Sequence, residues 1–296
     1  MQTWKRMWAR NGVGYLFLAP WLLGLFTLSA IPMGASLYLS FTEYDMFTSP
    51  EWSGLDNYVS MFGDDKWRNS LQVTLTYVFL GVPLQLLFAL FIALLLNRGI
   101  RGVRIYRAIY YVPSLFGGSV AIALLWRQLF GREGLVNTML GAIGIEGKNW
   151  IASPDTAIYT LIILLIWQFG APMVIFLAGL KQVPTELYEA STIDGAGKWR
   201  QFRSITLPLI TPVLFFNLVM QIISAFQAFT PAYIISGGSG GPLDSTLFYT
   251  LYLYQKGFTH FQMGYASALA WFLLVAIAFF TALIFATSKK WVYYQE

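Results

Sequence analysis

Residues 181–208 read KQVPTELYEASTIDGAGKWRQFRSITLP and form a polar segment between two strongly apolar stretches. A helix is predicted to begin at Pro184, with acidic side chains in its first turns that suit the helix dipole, and to end at Gly195. The spacing of apolar residues predicts a second short helix over 198–205, and Pro208 is expected to mark the start of the next apolar stretch. The segment is therefore predicted to be a helix–turn–helix.

The two predicted helices present apolar side chains at helical spacing, with few carboxylates among them. These side chains are Leu187, Ala190, Ile193, Trp199, Phe202 and Ile205. One interpretation is a knob that inserts into a groove of a soluble partner. The alternative is a pair of interfacial helices that lies on lipid headgroups. The periodicity alone leaves both interpretations open.

Outward from this segment, the chain has the composition of a membrane protein. Of its 296 residues, 57% are hydrophobic, 18% are aromatic and 11% are charged. A soluble domain carries about 25% charged residues and could not bury this much apolar surface. Six stretches are long enough to cross the hydrocarbon core of a bilayer. They are residues 13–39, 71–96, 108–130, 157–180, 211–235 and 263–286.

Basic residues are concentrated on one predicted side of the membrane. The N-terminus, the 97–107 loop, the 181–204 loop and the C-terminus hold thirteen of the 19 basic residues but four of the 14 acidic ones. The positive-inside rule therefore predicts that both termini are cytoplasmic. This distribution also accounts for the net charge of +5, so no nucleic-acid partner is expected.

We expect three regions along the chain, and the polar segment falls in the second. They are an N-terminal anchor helix with an outside segment at 1–70, a core transmembrane domain at 71–287 and a cytoplasmic tail at 288–296. A glycine-rich stretch in the outside loop 236–262 either reaches a partner or is a flexible connector.

Residues suited to catalysis or metal binding are scarce. The sequence has no cysteine and one histidine, His260, in a predicted outside loop. The Gly147–Lys148 and Gly197–Lys198 pairs lack the other residues of a phosphate-binding loop. No set of nucleophile, base and orienting group can be assembled from the remaining residues. We therefore expect a protein that is not an enzyme and that has no cofactor of its own.

The fourth and fifth predicted spans carry polar and aromatic side chains that are costly in lipid and tend to face an interior. They are Trp167, Gln168, Asn217, Gln221, Ser224, Phe226, Gln227 and Tyr233. Amides and hydroxyls beside aromatic rings suit a neutral sugar, which hydrogen-bonds in the ring plane and stacks on its C–H face. Hydrogen bonding between helices is the alternative role for the same polar groups.

The polar segment resembles the EAA loop of ABC importer permeases, whose pattern is Glu-Ala-Ala, three residues, Gly, nine residues and Ile-x-Leu-Pro. Both spacings are kept, and serine stands at the second alanine. The resemblance assigns eight residues of this segment to ATPase coupling, namely Glu189, Ala190, Ser191, Asp194, Gly195, Ile205, Leu207 and Pro208. The run 187–196 looks like the carbohydrate-uptake branch of these permeases. We name residues 184–208 the EAA segment.

The resemblance implies an all-α polytopic protein with the type I ABC importer permease fold and about six transmembrane helices, in a bacterial or archaeal plasma (inner) membrane. It implies four kinds of partner: a second, unlike permease, two ATPase subunits that bind ATP and Mg, an extracytoplasmic solute-binding protein, and a sugar or oligosaccharide. The EAA segment would be the cytoplasmic coupling helix, with Glu189 paired to a basic residue of the ATPase. The resemblance also favours Gln168, Gln221 and Ser224 as substrate-site residues, since helices at these places line the maltose-type site.

Two alternatives remain open from the sequence. One is an ABC permease for another solute, such as glycerol-3-phosphate. The other is a secondary transporter that needs no ATPase. That alternative predicts ionisable residues at mid-membrane, and none is visible in the predicted spans.

Overall fold

The computed structural model describes residues 2–99 and 102–293, with side chains from residue 14 onward. Helices dominate the described residues. In chain order the α-helices are α1 (Gln2–Leu25), α2 (Ile31–Leu39), α3 (Asp56–Gly63), α4 (Asp65–Thr76), α5 (Val82–Leu96), α6 (Val103–Phe116), α7 (Val120–Leu129), α8 (Leu135–Ala142), α9 (Pro154–Trp167), α10 (Gly170–Leu180), α11 (Thr185–Ile193), α12 (Lys198–Gln201), α13 (Leu207–Phe226), α14 (Thr230–Ser236), α15 (Tyr249–Tyr254) and α16 (Met263–Ser288).

Short elements join these helices. Two antiparallel strands, β1 (Thr42–Glu43) and β2 (Glu51–Trp52), form a small hairpin. The remaining short elements are a 3₁₀ turn at Pro242–Asp244 and π-helical turns at Phe26–Ala30, Tyr77–Gly81, Phe202–Thr206 and Gln255–Thr259.

Three of these π-helical turns end two residues before a proline, namely Pro32, Pro83 and Pro208. A proline inside a helix lacks an N–H donor, and its ring collides with the carbonyl group four residues earlier. A wider π-helical turn at this point rearranges the hydrogen bonds; for example, the Leu207 N–H donates to the Phe202 carbonyl. The helix can therefore continue past each proline.

The predicted all-α polytopic fold is confirmed. Four continuous helices are long and apolar enough to cross a membrane: Gly14–Leu39, Asp65–Leu96, Lys198–Phe226 and Met263–Ser288. Two further candidates are bent pairs, α6 with α7 and α9 with α10. The described residues thus contain up to six spans, as the sequence predicts.

The third predicted span, 108–130, is not straight. Helices α6 and α7 meet at 98°. The break falls at Gly117 and Gly118, and the Ser119 hydroxyl then accepts the Ile122 N–H at 3.4 Å to begin the new helix. Two successive glycines and a serine N-cap favour this break, so the third predicted span is a bent pair of helices rather than one straight helix.

The boundaries of the fifth predicted span also need correction. The long helix ends at Phe226 rather than near residue 235, because Phe229 adopts the non-helical φ of −132° and α14 begins after it. At the other end the helix begins at Lys198. The second short helix predicted at 198–205 is therefore the first part of the span, and Pro208 lies inside this continuous helix.

Two compact units divide the chain, and the first comprises residues 1–63 and 253–273. Its hairpin is held by Asn57, whose Nδ2 donates to the carbonyl groups of Ser40 and Thr42 at 3.0 and 2.9 Å. In the hairpin loop, hydrogen bonds from the Thr48 backbone and hydroxyl, and from the Phe47 backbone, hold the pKa of the Asp45 carboxyl below its usual range.

The second unit comprises residues 64–252 and 274–296. Within it α5 packs against α9 and α10, and α10 also contacts α6 and α13. Small residues allow this close packing: a Cβ at Gly179 would lie 2.7 Å from Val213 Cγ2. The EAA segment and all candidate pathway residues belong to this unit. The predicted tail begins at its last residues, and its positions 294–296 lie outside the described residues.

Candidate functional site

The first helix of the EAA segment, α11, ends in a glycine turn. Gly195 has a φ of +75°, and its N–H donates to the Thr192 carbonyl at 3.0 Å. The next N–H, of Ala196, reaches back to the Ser191 carbonyl at 2.9 Å. This pair of bonds is the Schellman arrangement, which closes a helix and reverses the chain. The turn predicted at Gly195 is therefore present, for the backbone reason that the sequence suggests.

Replacing Gly195 by alanine is expected to destabilise the turn without a steric clash. Nothing lies within 4 Å of a Cβ at this position, so the cost is that of a left-handed backbone, about 1 kcal/mol. Asparagine, which tolerates this conformation, should restore most of the loss. Thermal unfolding of the two purified variants measures the difference. Equal unfolding temperatures for wild type and the alanine variant would contradict the assignment.

The Gln201 side chain ties α11 to the base of the long helix Lys198–Phe226. Its Nε2 donates to the hydroxyl groups of Ser191 and Thr192, both at 2.9 Å, and lies 3.3 Å from the Tyr188 carbonyl oxygen. Both hydroxyls donate in turn to that carbonyl, so their oxygens face the amide as acceptors. The Tyr188 hydroxyl and Thr206 Oγ1 form a further bond of 2.8 Å. We name these five side chains and their bonds the Gln201 clasp.

The clasp gives a physical reason for serine at the second alanine of the EAA pattern. An alanine at this position would have no oxygen to accept from the Gln201 amide, whereas Ser191 accepts at 2.9 Å. Sequence reasoning noted Ser191 but missed Gln201. The sequence signal for Gln201 was its polar side chain two residues after Trp199, at the start of a long apolar helix.

The long helix is also braced by the chain's C-terminal residues. Pro212 provides no N–H for the carbonyl of Pro208, and the Thr211 hydroxyl donates to that carbonyl at 2.6 Å instead. Thr211 Oγ1 then accepts the Tyr293 N–H at 2.9 Å, and Trp291 packs against Phe215 with ring centroids 6.0 Å apart. Residues 291–293 are thereby fastened to the base of α13.

The EAA segment leaves large apolar side chains and its acidic groups exposed. Ile193 is 88% exposed and Trp199 is 74% exposed, and Trp199 stacks on Phe202 at 5.6 Å. Glu189 is also exposed. Two stiffly connected helices with an uncovered apolar ridge form a surface that a partner can bind. The same ridge could lie against lipid, so exposure alone does not choose between the two interpretations.

The break between α9 and α10 explains where Gln168 lies. Pro172 cannot donate to the Gln168 carbonyl, so Ser114 Oγ and Gln85 Nε2 donate to it at 2.8 and 3.3 Å. Ser114 Oγ also accepts the Ala171 N–H at 2.9 Å. The Gln168 side chain donates to the Leu164 carbonyl of its own helix at 3.2 Å. Gln168 is thus half-buried in the bend, and neighbouring helices supply the missing backbone partners.

Candidate pathway residues on α13 divide into buried and exposed groups. Asn217 is 1% exposed, and both of its side-chain polar atoms are buried and have no hydrogen-bond partner among the described residues. Phe226 is also 1% exposed and stacks on Phe280 at 5.4 Å. By contrast Gln221 is partly exposed, and Ser224 and Gln227 are exposed. The exposed polar groups lie at the end of the long helix opposite the EAA segment.

Trp167 and Tyr233 lie near the ends of neighbouring helices. Trp167 packs against Trp126 of α7 with ring centroids 5.8 Å apart, and Trp126 donates to the Thr160 carbonyl at 2.9 Å. Helix α14, which carries Tyr233, packs against α7 as well. Helix α7 therefore contacts both Trp167 and α14. The side chains of Trp167 and Tyr233 are partly exposed.

The glycine-rich loop after α14 is fastened to α4. Thr246 donates to the Gly240 carbonyl through its N–H and its hydroxyl, at 2.8 and 2.9 Å. Asn69 Nδ2 donates to the Asp244 carbonyl at 2.9 Å, and Lys66 Nζ lies 3.6 Å from Asp244 Oδ2. These bonds anchor the base of the loop, while its contact with a partner stays a prediction.

Fold and site together define a class of protein. It is a polytopic helical membrane subunit in which a helix–turn–helix, the EAA segment, joins two spans. Exposed polar side chains lie at the far end of the span that follows this segment. This is the class of membrane-embedded transport subunits. The chain belongs to the family of binding-protein-dependent transport system inner membrane components, whose model matches residues 58–292.

Individual relatives agree with this family, and a solved structure agrees with the fold. The chain is 55% identical over 288 residues to the probable ABC transporter permease protein YesP of Bacillus subtilis (strain 168), across 97% of this chain and 93% of YesP. It is 32% identical over 279 residues to AmyD of Thermoanaerobacterium thermosulfurigenes, a probable starch degradation products transport system permease protein, across 92% and 94% of the two chains. A crystal structure of a bacterial alginate ABC transporter, in complex with an alginate pentasaccharide-bound periplasmic protein, contains a chain that matches with a TM-score of 0.83 and 22% identity over 98% of each chain, which supports the fold alone.

The family membership confirms several predictions made from the sequence. The chain is the permease component of an ABC transport system that depends on a binding protein, and it is a transport subunit rather than an enzyme. The family carries no cofactor of its own. In the described residues there is no group of three or more potential metal ligands.

Proposed function

We propose that this permease passes a sugar or oligosaccharide from an extracytoplasmic binding protein into the cytoplasm, driven by ATP hydrolysis on separate subunits. AmyD, a relative that matches over nearly the whole chain, is named for starch degradation products. The uncharged, amide- and hydroxyl-bearing end of the long helix suits a neutral sugar and offers no cation to an acidic solute. A second, unlike permease and two ATPases complete the proposed assembly, with both termini of this chain in the cytoplasm.

The EAA segment is the proposed contact with an ATPase, and one observation carries this assignment. The Gln201 clasp and the Gly195 turn fix α11 to the base of a spanning helix, while Ile193 and Trp199 remain uncovered. A passive connector needs neither a rigid mounting nor an exposed apolar ridge. A lever that transmits motion from a soluble motor needs both.

The proposed solute pathway follows the exposed side of the long helix. Gln221, Ser224 and Gln227 are assigned to solute contact, with Trp167 and Tyr233 as aromatic platforms. Gln168, Asn217 and Phe226 are assigned to supporting roles, because their side chains pack or hydrogen-bond within the chain or are buried there. Uptake of labelled oligosaccharides by vesicles that contain the complete assembly and its binding protein tests the substrate class.

Replacing Glu189 by lysine tests the coupling role directly. We expect the ATPase subunits recovered with the purified permease to fall at least about tenfold, since a like charge would meet the basic residue proposed to pair with Glu189. Membrane insertion should be unchanged, because the side chain is exposed. Recovery of ATPase is measured on affinity-purified membranes.

The matched control is Glu186→Lys, one turn earlier on the same helix and also exposed. It changes the same charge but lies outside the EAA pattern, so ATPase recovery should stay near the wild-type level. Equal loss in both variants would indicate a general charge effect. Normal recovery and uptake in the Glu189 variant would refute the coupling role.

A further inference from the structure

A groove of about 820 Å³ opens beside the EAA segment. Its walls come from the end of α5, the end of α10 and the first turns of the long helix Lys198–Phe226. Leu94, Leu180 and Phe202 supply apolar surface, and Tyr188 and Gln201 of the clasp lie at its edge. Trp199 also belongs to the ridge proposed for the ATPase, whereas Arg98, Leu94 and Leu180 have no role proposed so far.

The charge in the groove has one sign. Arg98 and Lys198 line it, both are exposed, and no carboxylate belongs to the lining. Within residues 2–99 and 102–293, neither cation has an ion-pair partner. Two uncompensated cations above an apolar wall attract a ligand with an anionic head and an apolar body.

The position of the groove selects the kind of ligand. Arg98 follows the last turn of α5 and Lys198 is the first residue of the long helix, so both cations lie where spanning helices end. Trp199, an aromatic residue of the type enriched at the membrane–water interface, lies beside them. At this depth a phospholipid presents its phosphate to the cations and its acyl chains to the apolar wall.

We infer that this groove binds the headgroup of an anionic phospholipid, such as phosphatidylglycerol, from the cytoplasmic leaflet. The inference rests on the orientation given under the proposed function, which places the basic side of the chain in the cytoplasm. Basic pockets between spanning helices on that side are suited to acidic lipid headgroups. A lipid in the groove would touch Tyr188 and Gln201, so membrane composition would act on the mounting of the EAA segment.

Photoactivatable phosphatidylglycerol tests this inference in the complete assembly with its ATPases, reconstituted in phosphatidylcholine nanodiscs. Cross-links are expected on peptides that contain residues 94–98 and 198–206. The double variant Arg98→Gln, Lys198→Gln should lose at least about tenfold of this labelling. A photoactivatable phosphatidylcholine should label these peptides weakly in both the wild type and this double variant.

Matched controls separate the site from general charge attraction. The double variant Arg132→Gln, Lys148→Gln removes two exposed bases from the predicted outside loop and should keep full labelling. Equal labelling of the groove in both double variants would overturn the inference. Displacement by inorganic phosphate would overturn it too, in favour of a soluble anion, and labelling that appears only after the ATPases are removed would show that a protein covers the groove.

The outcome is independent of the coupling test. If ATPase recovery and uptake are normal but no anionic lipid labels the groove, the lipid site fails and the proposed function stands. If the Glu189 variant keeps its ATPase and its uptake, the coupling role fails whatever lipid is bound.

Discussion

Replacing Gly170 by alanine is expected to prevent the bent pair α9–α10 from packing against α6. A Cβ at this position would overlap the Tyr110 carbonyl oxygen and lie 2.7 Å from Tyr111 Cα, and both atoms belong to backbone. Backbone cannot move aside as the end of a flexible side chain can. We therefore expect a loss near the upper end of the range for overpacked sites, about 3 kcal/mol.

The measurement is the yield of folded permease and its unfolding temperature in detergent. A suitable control is Gly34→Ala, since nothing lies within 4 Å of a Cβ there and the residue is also in a spanning helix. The control should be neutral or slightly stabilising, because alanine favours the helix. A Gly170 variant as stable as the control would mean that α6 does not lie against the bend.

A second consequence follows for Ser114, which enters the bend from α6. If the helices are forced apart, Ser114 can no longer donate to the Gln168 carbonyl and accept the Ala171 N–H. The Ala171 N–H would then lack a partner in the membrane, at about 1–3 kcal/mol, and the Gln168 carbonyl would keep only the longer bond from Gln85. The steric cost at Gly170 and the loss of these bonds both destabilise the folded permease.

The sequence was sufficient for features that depend on local chemistry or on total apolar length. The spans follow from bilayer thickness, and the turn at Gly195 follows from the need for a left-handed residue after a helix. The EAA spacing located the projecting segment. Each of these signals lies within a few tens of consecutive residues.

Features that depend on distant partners were out of reach. The bend at Gln168 is stabilised by Ser114 and Gln85, which are 54 and 83 residues away along the chain. Pro172 signals that a carbonyl needs a new donor but not which side chain provides it. The 98° break at Gly117 and Gly118 was visible in principle, and hydropathy concealed it because both halves are apolar.

The burial of Asn217 illustrates the same limit. Gln221 and Ser224 follow Asn217 by four and seven residues, so the three side chains are expected on one face of the helix. The structure buries Asn217 and exposes Ser224, because neighbouring helices cover the first part of that face and not the last. Helical periodicity assigns a face, and only tertiary packing decides how far along the face it is covered.

Replacing Gln201 by alanine is expected to separate ATP hydrolysis from solute movement. The change removes the donor to Ser191 and Thr192, two hydrogen bonds that contribute about 1 kcal/mol each. The contact proposed between Glu189 and the ATPase lies elsewhere on α11, so ATPase recovery should remain near wild type. With a loose mounting, motion of α11 reaches the long helix less completely, and solute moved per ATP hydrolysed should fall about tenfold.

Two further variants make this expectation specific to the clasp. We call the amount of solute moved per ATP hydrolysed the coupling ratio. Ser191→Ala removes one acceptor and should lower this ratio less than the Gln201 variant does. Because both changes break one network, the double variant should be no worse than Gln201→Ala alone, whereas independent sites would add. Gln182→Ala, an exposed glutamine after α10 with no hydrogen bond from its side chain to the described residues, should leave the ratio unchanged.

The coupling ratio is a sharper readout than activity or stability, because a purely structural role for Gln201 would lower hydrolysis and uptake together. A clasp that transmits force predicts that hydrolysis persists while uptake falls. Parallel loss of both, with ATPase subunits dissociated, would reduce Gln201 to a stabilising residue. An unchanged ratio with the amide absent would mean that α11 moves the spanning helix through the Gly195 turn and the Tyr188–Thr206 bond alone.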